Sequence, residues 1–346
     1  TCAAGKCTAG SKTALFKRTY APADHPTGKL HLALTGVISK SSDASNGYAV
    51  AGVTWLGSAA TPTAAGIWLA GLDLGGEVQW QLQDTVTKFQ AAATKLPAGG
   101  AYPQLGAAGL IPMPGGKMAA VGTTVDGAGA QRIRLVVATN KGEKVRAVTL
   151  SGKPGSSDQA LSVAAGAGGT AVVAGWRESK QKDGLAMQLT SAGTAAWQVQ
   201  VGSETQDEQF RACDVSEVGD VLLAGIARNA ANAEAGWLVR VSAAGKQAWA
   251  RTYTDSKASA GGSGVKHRLT AVTWVAGGAV AAGVIEEDGK SRHWILKVEP
   301  KLGELVWHKE SSTAFEVHTI ARRGGDQLVL AGVSRPGPGA SDVRLL

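Results

Sequence analysis

The stretch Gly236-Trp-Leu-Val-Arg-Val-Ser-Ala-Ala-Gly-Lys-Gln-Ala-Trp249 predicts a β-hairpin. Its first half alternates apolar and polar residues, Gly245 marks a turn, and a tryptophan follows that glycine by four residues. Residues 66–80 and 293–307 repeat the pattern, whereas Gly142 is followed by Arg146, so we expect that copy to be degenerate. One repeated position is predicted to pack between neighbouring units, and it holds Trp80, Trp197, Trp249 and Trp307.

A second pattern, an apolar strand that ends in a small residue and glycine, precedes each hairpin. Its closing glycines lie 49 to 70 residues apart, and they are Gly52, Gly122, Gly175, Gly225, Gly283 and Gly332. Each repeat then holds four short antiparallel strands in about 50 residues, which is typical of a propeller blade. We therefore predict an all-β fold, a single β-propeller of six four-stranded blades. The approximate blade boundaries are 30–90, 104–150, 158–201, 209–254, 267–311 and 316–346.

The two ends of the sequence predict how the ring closes. The sixth repeat stops at residue 346 within its third strand, and residues 14–20 resemble residues 248–253, with Phe16 in the place of Trp249. Residues 14–20 are expected to complete the last blade, an arrangement called Velcro closure that removes exposed strand edges. Residues 1–13 are then an N-terminal extension. Seven blades are the alternative, because the connection over residues 82–104 is long.

Composition excludes several classes of protein. Apolar residues make up 44% of the 346 positions, which excludes a disordered chain. The net charge of +8 makes weak attraction to polyanions plausible, but the basic residues are scattered and predict no specific nucleic-acid binding. We predict no transmembrane segment: the uncharged stretch between Lys95 and Lys117 holds four prolines, and the one over residues 269–285 is divided by Gly277-Gly278 into two short strands. Cys2 and Cys7 could pair if the chain is exported, and Cys213 is predicted to be a buried core residue rather than a reactive thiol.

The ending Asp73-Leu-Gly-Gly-Glu-Val-Gln-Trp80 resembles the tryptophan-docking repeats of bacterial PQQ-like (quinoprotein-like) propellers. It is also similar to the Gly-x-x-x-Trp repeats of exported bacterial propellers and lipoproteins. The resemblance implies the scaffold and an exported location, which is periplasmic, outer-membrane-associated or extracellular. Propellers that carry PQQ usually have eight blades and a calcium-assisted site beside a disulfide. Because six repeats and no vicinal cysteine pair occur here, we expect no cofactor.

No catalytic or metal-binding motif stands out among the histidines and acidic residues, so we predict no catalytic residues and no metal site. The acidic runs at residues 204–208 and 286–288 are interpreted as solvated loops. Sixteen residues before each closing glycine lies the start of an innermost strand, near the mouth of the central channel. These positions hold Gly36, Gly106, Gln159, Gln209, His267 and Glu316. Their polar members are candidates for a ligand site, the alternative being that they are solvated strand starts.

The long connections between second and third strands and between blades emerge on one side of a propeller, which suggests a recognition surface there. We predict that Trp176 anchors this surface, although Trp55 and Trp176 could instead serve packing. The predicted contact residues are Arg177, Lys180, Lys182, Arg228, Lys290 and Arg292. The favoured function is a non-catalytic scaffold or interaction propeller with a protein partner in a bacterial cell-envelope or extracellular assembly. The alternatives are a propeller enzyme (lyase, hydrolase or quinoprotein) working at the channel mouth, and a module that binds glycans or other polyanions.

Overall fold

The computed structural model of the chain describes its strands and most of the connections between them. The described residues are 2–3, 6–7, 31–39, 47–57, 62–84, 87–88, 106–126, 130–150, 152–203, 205–228, 233–254, 265–311, 315–322, 327–337 and 340–345. They form β-strands throughout, apart from one short 3₁₀ turn at Ala167–Gly169. None of these residues belongs to a helix with the length and hydrophobicity needed to cross a bilayer.

The strands form one small ladder and six larger sheets. β1 (Cys2–Ala3) pairs with β2 (Lys6–Cys7). The first sheet contains β3 (His31–Ser39), β4 (Tyr48–Gly57), β5 (Pro62–Leu72) and β6 (Val78–Gln83), with β7 (Thr87–Lys88) paired to β5. The second contains β8 (Gly106–Met113), β9 (Lys117–Val125), β10 (Gln131–Thr139) and β11 (Lys144–Thr149). The third contains β12 (Ser157–Ala165), β13 (Ala171–Glu178), β14 (Lys182–Leu189) and β15 (Ala195–Val201).

The remaining sheets follow the same plan. The fourth contains β16 (Glu208–Val215), β17 (Val221–Arg228), β18 (Glu234–Val241) and β19 (Gln247–Tyr253). The fifth contains β20 (Lys266–Val275), β21 (Gly278–Glu287), β22 (Lys290–Val298) and β23 (Leu305–Ser311). The sixth contains β24 (Phe315–Arg322), β25 (Leu328–Gly337) and β26 (Ala340–Leu345). Within each sheet, consecutive strands pair antiparallel as a meander. The first strands of consecutive sheets pack side by side around the axis, which confirms the predicted β-propeller.

Every first strand carries a β-bulge at an equivalent place, and this bulge explains the closing glycines. In β16 the register shifts between Phe210 and Ala212, which leaves Arg211 unpaired in the ladder. The bulge brings the carbonyl of Gln209 so close to Gly225 that a Cβ there would lie 1.9 Å from the carbonyl oxygen. Only glycine fits such an approach. The same conflict, at 1.8 or 1.9 Å, occurs at Gly175, Gly283 and Gly332.

The residue after each bulge is small, because neighbouring first strands approach closely there. In the first sheet, a Cβ on Gly36 would lie 2.9 Å from the backbone nitrogen of Leu110 in the second sheet. In the third sheet, the Ser162 hydroxyl accepts a hydrogen bond from the Cys213 backbone nitrogen of the fourth, at 3.2 Å. No residue larger than threonine occupies this position, which holds Gly36, Gly109, Ser162, Ala212, Ala271 and Thr319.

Three of the four repeated tryptophans connect their sheet to the next one, as predicted. The Trp80 Nε1 donates to the Asn140 carbonyl oxygen at 2.8 Å, and the Trp197 Nε1 donates to that of Ala243 at 3.1 Å. The Trp249 Nε1 donates to the Pro300 carbonyl oxygen at 3.0 Å. In each case the acceptor lies in the turn between the third and fourth strands of the following sheet.

Two copies of this position differ from expectation. Arg146 does not make its unit degenerate, since its guanidinium reaches the turn of the third sheet and donates to the Ala192 carbonyl oxygen. A long, flat cation can therefore replace the indole at this position. Trp307, by contrast, keeps 37% of its surface exposed, so it is less well covered than the buried Trp249. The predicted closing strand, residues 14–20, lies outside the described residues, and the closure and the blade count of six stay predictions.

Candidate functional site

The candidate site lies on one side of the propeller, which we call the connection face. The first strands begin there, the second strands end there, and the third strands begin there, as the antiparallel registers require. The connections that hold the predicted contact residues lie on this side, but not all of the predicted residues reach its surface. Over the third to fifth sheets it is rich in charged side chains, and most of these are engaged with one another.

Trp176 and Arg177, at the end of β13, lie in the interior rather than on the surface. Both residues are almost completely buried. The Arg177 Nε and Nη2 atoms each donate to one Asp158 carboxylate oxygen at 2.6 Å, a two-point ion pair sealed inside the third sheet. The structure therefore favours the packing role for Trp176 and gives Arg177 a structural partner. The side chain of Trp55 lies outside the described part of the chain.

The predicted lysines keep more contact with solvent than these two residues. Lys180 and Lys290 are exposed in the connections of the third and fifth sheets. The Lys182 Nζ atom lies 4.6 Å from the centre of the Trp176 ring, a cation–π contact that covers the buried indole. Within the described part of the chain, none of these three lysines takes part in an ion pair.

The two remaining predicted contact residues are already paired. Arg228 forms ion pairs with Glu234, at 2.8 Å, and with Asp207, at 3.7 Å. Arg292 forms ion pairs with Glu287, at 2.7 Å, and with Glu310, at 3.0 Å. These arginines are half-buried, so they stabilise the face as well as contributing to its surface.

The strand registers correct two members of the predicted channel-mouth set. Gln159, Gln209 and Glu316 each precede the residue that pairs with a closing glycine. In the fifth sheet that position belongs to Arg268, because Leu269 pairs with Gly283 at a separation of 14 residues, one fewer than between Phe210 and Gly225. His267 instead packs in the interior, with its ring edge-on to Trp294 at 5.5 Å between centroids.

The other members of the channel-mouth set fall as follows. In the second sheet, Gly106 also precedes the residue that pairs with the closing glycine. In the first sheet, the residue at this position is Ala33 and not Gly36. Gln159 is fully buried, and Gln209 and Glu316 are half-buried. Four polar residues share the equivalent position, namely Gln159, Gln209, Arg268 and Glu316. All four are partly or fully buried, so they are not solvated strand ends.

Arg268 belongs to a chain of ion pairs that joins the fourth and fifth sheets. The buried Glu234 accepts hydrogen bonds from Arg228 on one carboxylate oxygen and from Arg268 on the other. Arg268 also forms an ion pair with Glu286 at 3.1 Å. Burial acts to raise the pKa of Glu234, but the hydrogen bonds and charges of Arg268 and Arg228 outweigh it and hold that pKa below its usual value. Glu234 is therefore a fixed anion in this cluster.

Arg211, which the sequence reasoning missed, lies beside this cluster. It is the bulge residue of β16, on the innermost strand, and it is half-buried. Burial lowers its pKa, and the positive charge of Arg268 lowers it further. A count of fourteen residues before the closing glycine, rather than sixteen, would have reached Arg211 in this sheet.

Glu208, at the start of β16, is a buried carboxyl group of a different kind. Its surroundings include no arginine partner among the described residues, and its nearest donor is the Ser203 backbone nitrogen at 3.4 Å. Burial raises the pKa of Glu208, and the negative charges of Asp183 and Asp207 act in the same direction. The sequence placed this residue in a polar loop, whereas the structure places it inside the first strand of the fourth sheet.

The described residues hold no group of three or more His, Cys, Asp or Glu side chains arranged to bind a metal ion. Cys213 is buried as predicted, and burial raises the pKa of its thiol to about 12, which confirms a core role.

Comparisons with known proteins add only distant structural similarities. No protein-family model matches the chain, and no curated protein sequence matches it. A protein of unknown function from Dyadobacter fermentans aligns at 11% identity with a TM-score of 0.49, over 86% of this chain and 89% of its own.

Two enzymes are less similar. A Synechocystis apocarotenoid oxygenase mutant aligns at 9% identity with a TM-score of 0.40, over 81% of this chain and 65% of its own length. A GH43 endo-arabinanase from Bacillus licheniformis aligns at 12% identity with a TM-score of 0.38, over 68% of this chain and 91% of its own. At these values the similarities indicate nothing about activity, and the fold follows from the six sheets themselves.

Proposed function

We propose that the chain is a non-catalytic binding propeller whose connection face, over the third to fifth sheets, contacts a protein partner. The observation that carries the proposal is the division of charge on that face. Asp158 and Glu234 are neutralised by arginines, so these buried carboxylates stabilise the scaffold. The three lysines at positions 180, 182 and 290 remain for recognition. A partner with an acidic surface matches this arrangement.

The docking of Trp80, Trp197 and Trp249 on the next sheet supports the resemblance to exported tryptophan-docking propellers at the level of the scaffold. From the resemblance we infer that the protein belongs to an exported bacterial assembly. Cell fractionation with an antibody to the chain tests the location. Recovery of the protein only in the cytoplasmic fraction would contradict it.

The test of the partner surface is a matched pair of charge-reversal variants of the full chain. One variant carries Lys180→Glu, Lys182→Glu and Lys290→Glu, and the other carries Lys141→Glu and Lys246→Glu in turns on the opposite side. Cross-linking and mass spectrometry in the native cells should map cross-links of the unaltered protein to residues 176–183 and 286–292. The first variant should lose these cross-links and the second should keep them. Cross-links that map to the opposite side would refute the proposal.

Arg177 is excluded from the charge-reversal set because its replacement would test stability instead of recognition. Removal of one partner from a buried ion pair costs about 3–5 kcal/mol. A loss of binding in such a variant would have no clear meaning. Lys180 and Lys290 are exposed and Lys182 is partly exposed, so we expect the fold to tolerate their replacement.

Glu208 favours one specific alternative, an enzyme that works at the channel mouth. A carboxylic acid whose pKa is raised by burial keeps its proton to a higher pH, which is the property of general acids in hydrolases and lyases. Removal of the carboxyl group by Glu208→Gln separates the two functions. Cross-linking to the partner should persist in this variant if the chain is a binding module, whereas an activity that disappears with it would establish the enzyme.

Binding to a polyanion or glycan is the third candidate, and it is supported by the net charge of +8. Because scattered charges act additively through a screened field, retention on heparin should fall steeply with salt. Under the protein-partner proposal, the two charge-reversal variants should elute from heparin according to the number of charges changed and not according to the side of the propeller. A selective loss in the first variant would favour the polyanion.

A further inference from the structure

The bulge positions of the six first strands form a ring around the channel with one permanently charged member. The register shifts place Thr35, Ala108, Leu161, Arg211, Thr270 and His318 at these positions. A bulge residue leaves the ladder, and the innermost strands of a propeller surround its central channel. Among these six bulge positions, Arg211 is the single guanidinium.

Arg211 has no hydrogen-bond or ion-pair partner among the described residues. Its Nε atom is buried, and no carbonyl, hydroxyl or carboxylate oxygen of the described residues accepts a hydrogen bond from it. A guanidinium stays protonated in proteins, so this side chain cannot escape the cost of burial by losing its proton. Buried charges are normally paired, because an isolated one is costly. The position therefore calls for an anion.

The carboxylates nearby do not meet this need. Glu234 is the negative neighbour whose charge acts on Arg211, but each of its oxygens already accepts from Arg228 or Arg268. Those two arginines have further acidic partners at the outer edge of the cluster, Asp207 for Arg228 and Glu286 for Arg268. The three arginines and the three carboxylates balance in number, but every carboxylate is engaged with Arg228 or Arg268, and none of them is hydrogen-bonded to Arg211.

We propose that Arg211 binds the carboxylate of a small organic acid at the channel mouth on the connection face. The third sheet shows the geometry that such a site requires. There, the Nε and Nη2 atoms of Arg177 hold both oxygens of Asp158 at 2.6 Å. The Nε edge of Arg211 is the edge left without an acceptor, and a planar carboxylate matches that edge at two points. This site is independent of the proposed protein-binding function.

Thermal unfolding of the full chain tests the site, with succinate as the probe and sodium chloride at equal ionic strength as the reference. Succinate should raise the Tm of the unaltered protein in a saturable manner, because a ligand that binds only the folded state stabilises it. Arg211→Gln should weaken succinate binding at least tenfold, and Arg211→Lys, which keeps the charge without the planar fork, should fall between. Lys153→Gln removes an exposed cation from the connection between the second and third sheets, on the same face, and should bind succinate as the unaltered protein does.

An NMR titration keeps the test independent of the variants. In protein labelled with ¹⁵N at arginine Nε, succinate should shift one buried Nε resonance, and this resonance should be missing in Arg211→Gln. The proposal is overturned if no Nε resonance shifts in the unaltered protein. It is also overturned if sulfate raises the Tm as much as succinate does, or if Arg211→Gln and Lys153→Gln bind succinate equally.

Discussion

Replacement of Trp249 by alanine should remove one of the main connections between the fourth and fifth sheets. Its side chain is buried, and a buried aromatic ring of this size contributes roughly 3–5 kcal/mol that truncation to alanine loses. Unfolding entropy is about 2.1 cal/mol/K per residue, so 1 kcal/mol shifts the Tm of a 346-residue unit by about 1.4 °C. We expect Trp249→Ala to lower the Tm by about 4–7 °C.

Two further substitutions divide this loss into its parts. Trp249→Phe keeps most of the buried area and removes the Nε1 donor, but the Pro300 carbonyl still accepts from Arg240 at 2.7 Å. Its cost should therefore be about 1–2 kcal/mol. Gly303→Ala changes the turn of the fifth sheet on which Trp249 packs. The φ angle there is +71°, and the new Cβ would lie 2.9 Å from the Trp249 ring. Strain in the left-handed region alone costs about 1–2 kcal/mol.

Trp307 is the matched control, because it holds the same repeat position on the next sheet with 37% of its surface exposed. Trp307→Ala should cost less than about 1 kcal/mol. The assay is thermal and urea unfolding followed by far-UV circular dichroism, which does not depend on the fluorescence of the deleted indole. Equal losses for Trp249→Ala and Trp307→Ala, or no loss for either, would refute the docking explanation.

Three other outcomes are expected. Glu208→Gln should raise the Tm at pH 7 and leave it unchanged near pH 4, as a pH series of melts will show. Because burial raises the pKa of this carboxyl group in the folded state, its contribution is fully present below the unfolded pKa and is lost as the pH rises. Cys213 should react with Ellman's reagent only after unfolding, measured with Cys2 and Cys7 replaced by serine, since its thiol pKa is about 12. Deletion of residues 1–21 should lower the Tm strongly or cause aggregation, and an unchanged Tm would contradict Velcro closure.

The propeller could be predicted because its repeat signatures have local physical causes. A closing glycine is required wherever the bulge carbonyl of the first strand approaches, as the 1.9 Å conflict at Gly225 shows. The turn glycine Gly303 is required because its backbone has a positive φ and because Trp249, from the sheet before it, packs directly on it. Such constraints act within one hairpin or between two adjacent sheets, so they recur at fixed spacing and a single sequence displays them.

The charged site was harder to predict, because its ion pairs join residues on different strands, and in the case of Glu234 and Arg268 on different sheets. Arg177 and Arg228 were expected at the surface as cations in irregular connections, yet their partners are 19 and 6 residues away and fix them in place. Nothing in the local sequence distinguishes these arginines from Lys180, which stays exposed. Pairing depends on which carboxylates the sheet registers bring within reach, and a register shift of one residue decides between His267 and Arg268.

The bulge accounts for both the success at the fold and the omission at the site. It forces a glycine on the second strand, and that glycine reveals the repeat. Side chains along a regular strand alternate between the two faces of the sheet, and a bulge interrupts this alternation. The sequence pattern therefore does not predict on which face of the sheet the side chain of the bulge residue lies. Arg211 stands at this position, between Phe210, which stacks on Trp237, and Ala212, which packs toward the fifth sheet. A search for binding residues in a repeat of this kind should therefore begin at the bulge positions, where neither the ladder nor the interface between sheets determines the side chain.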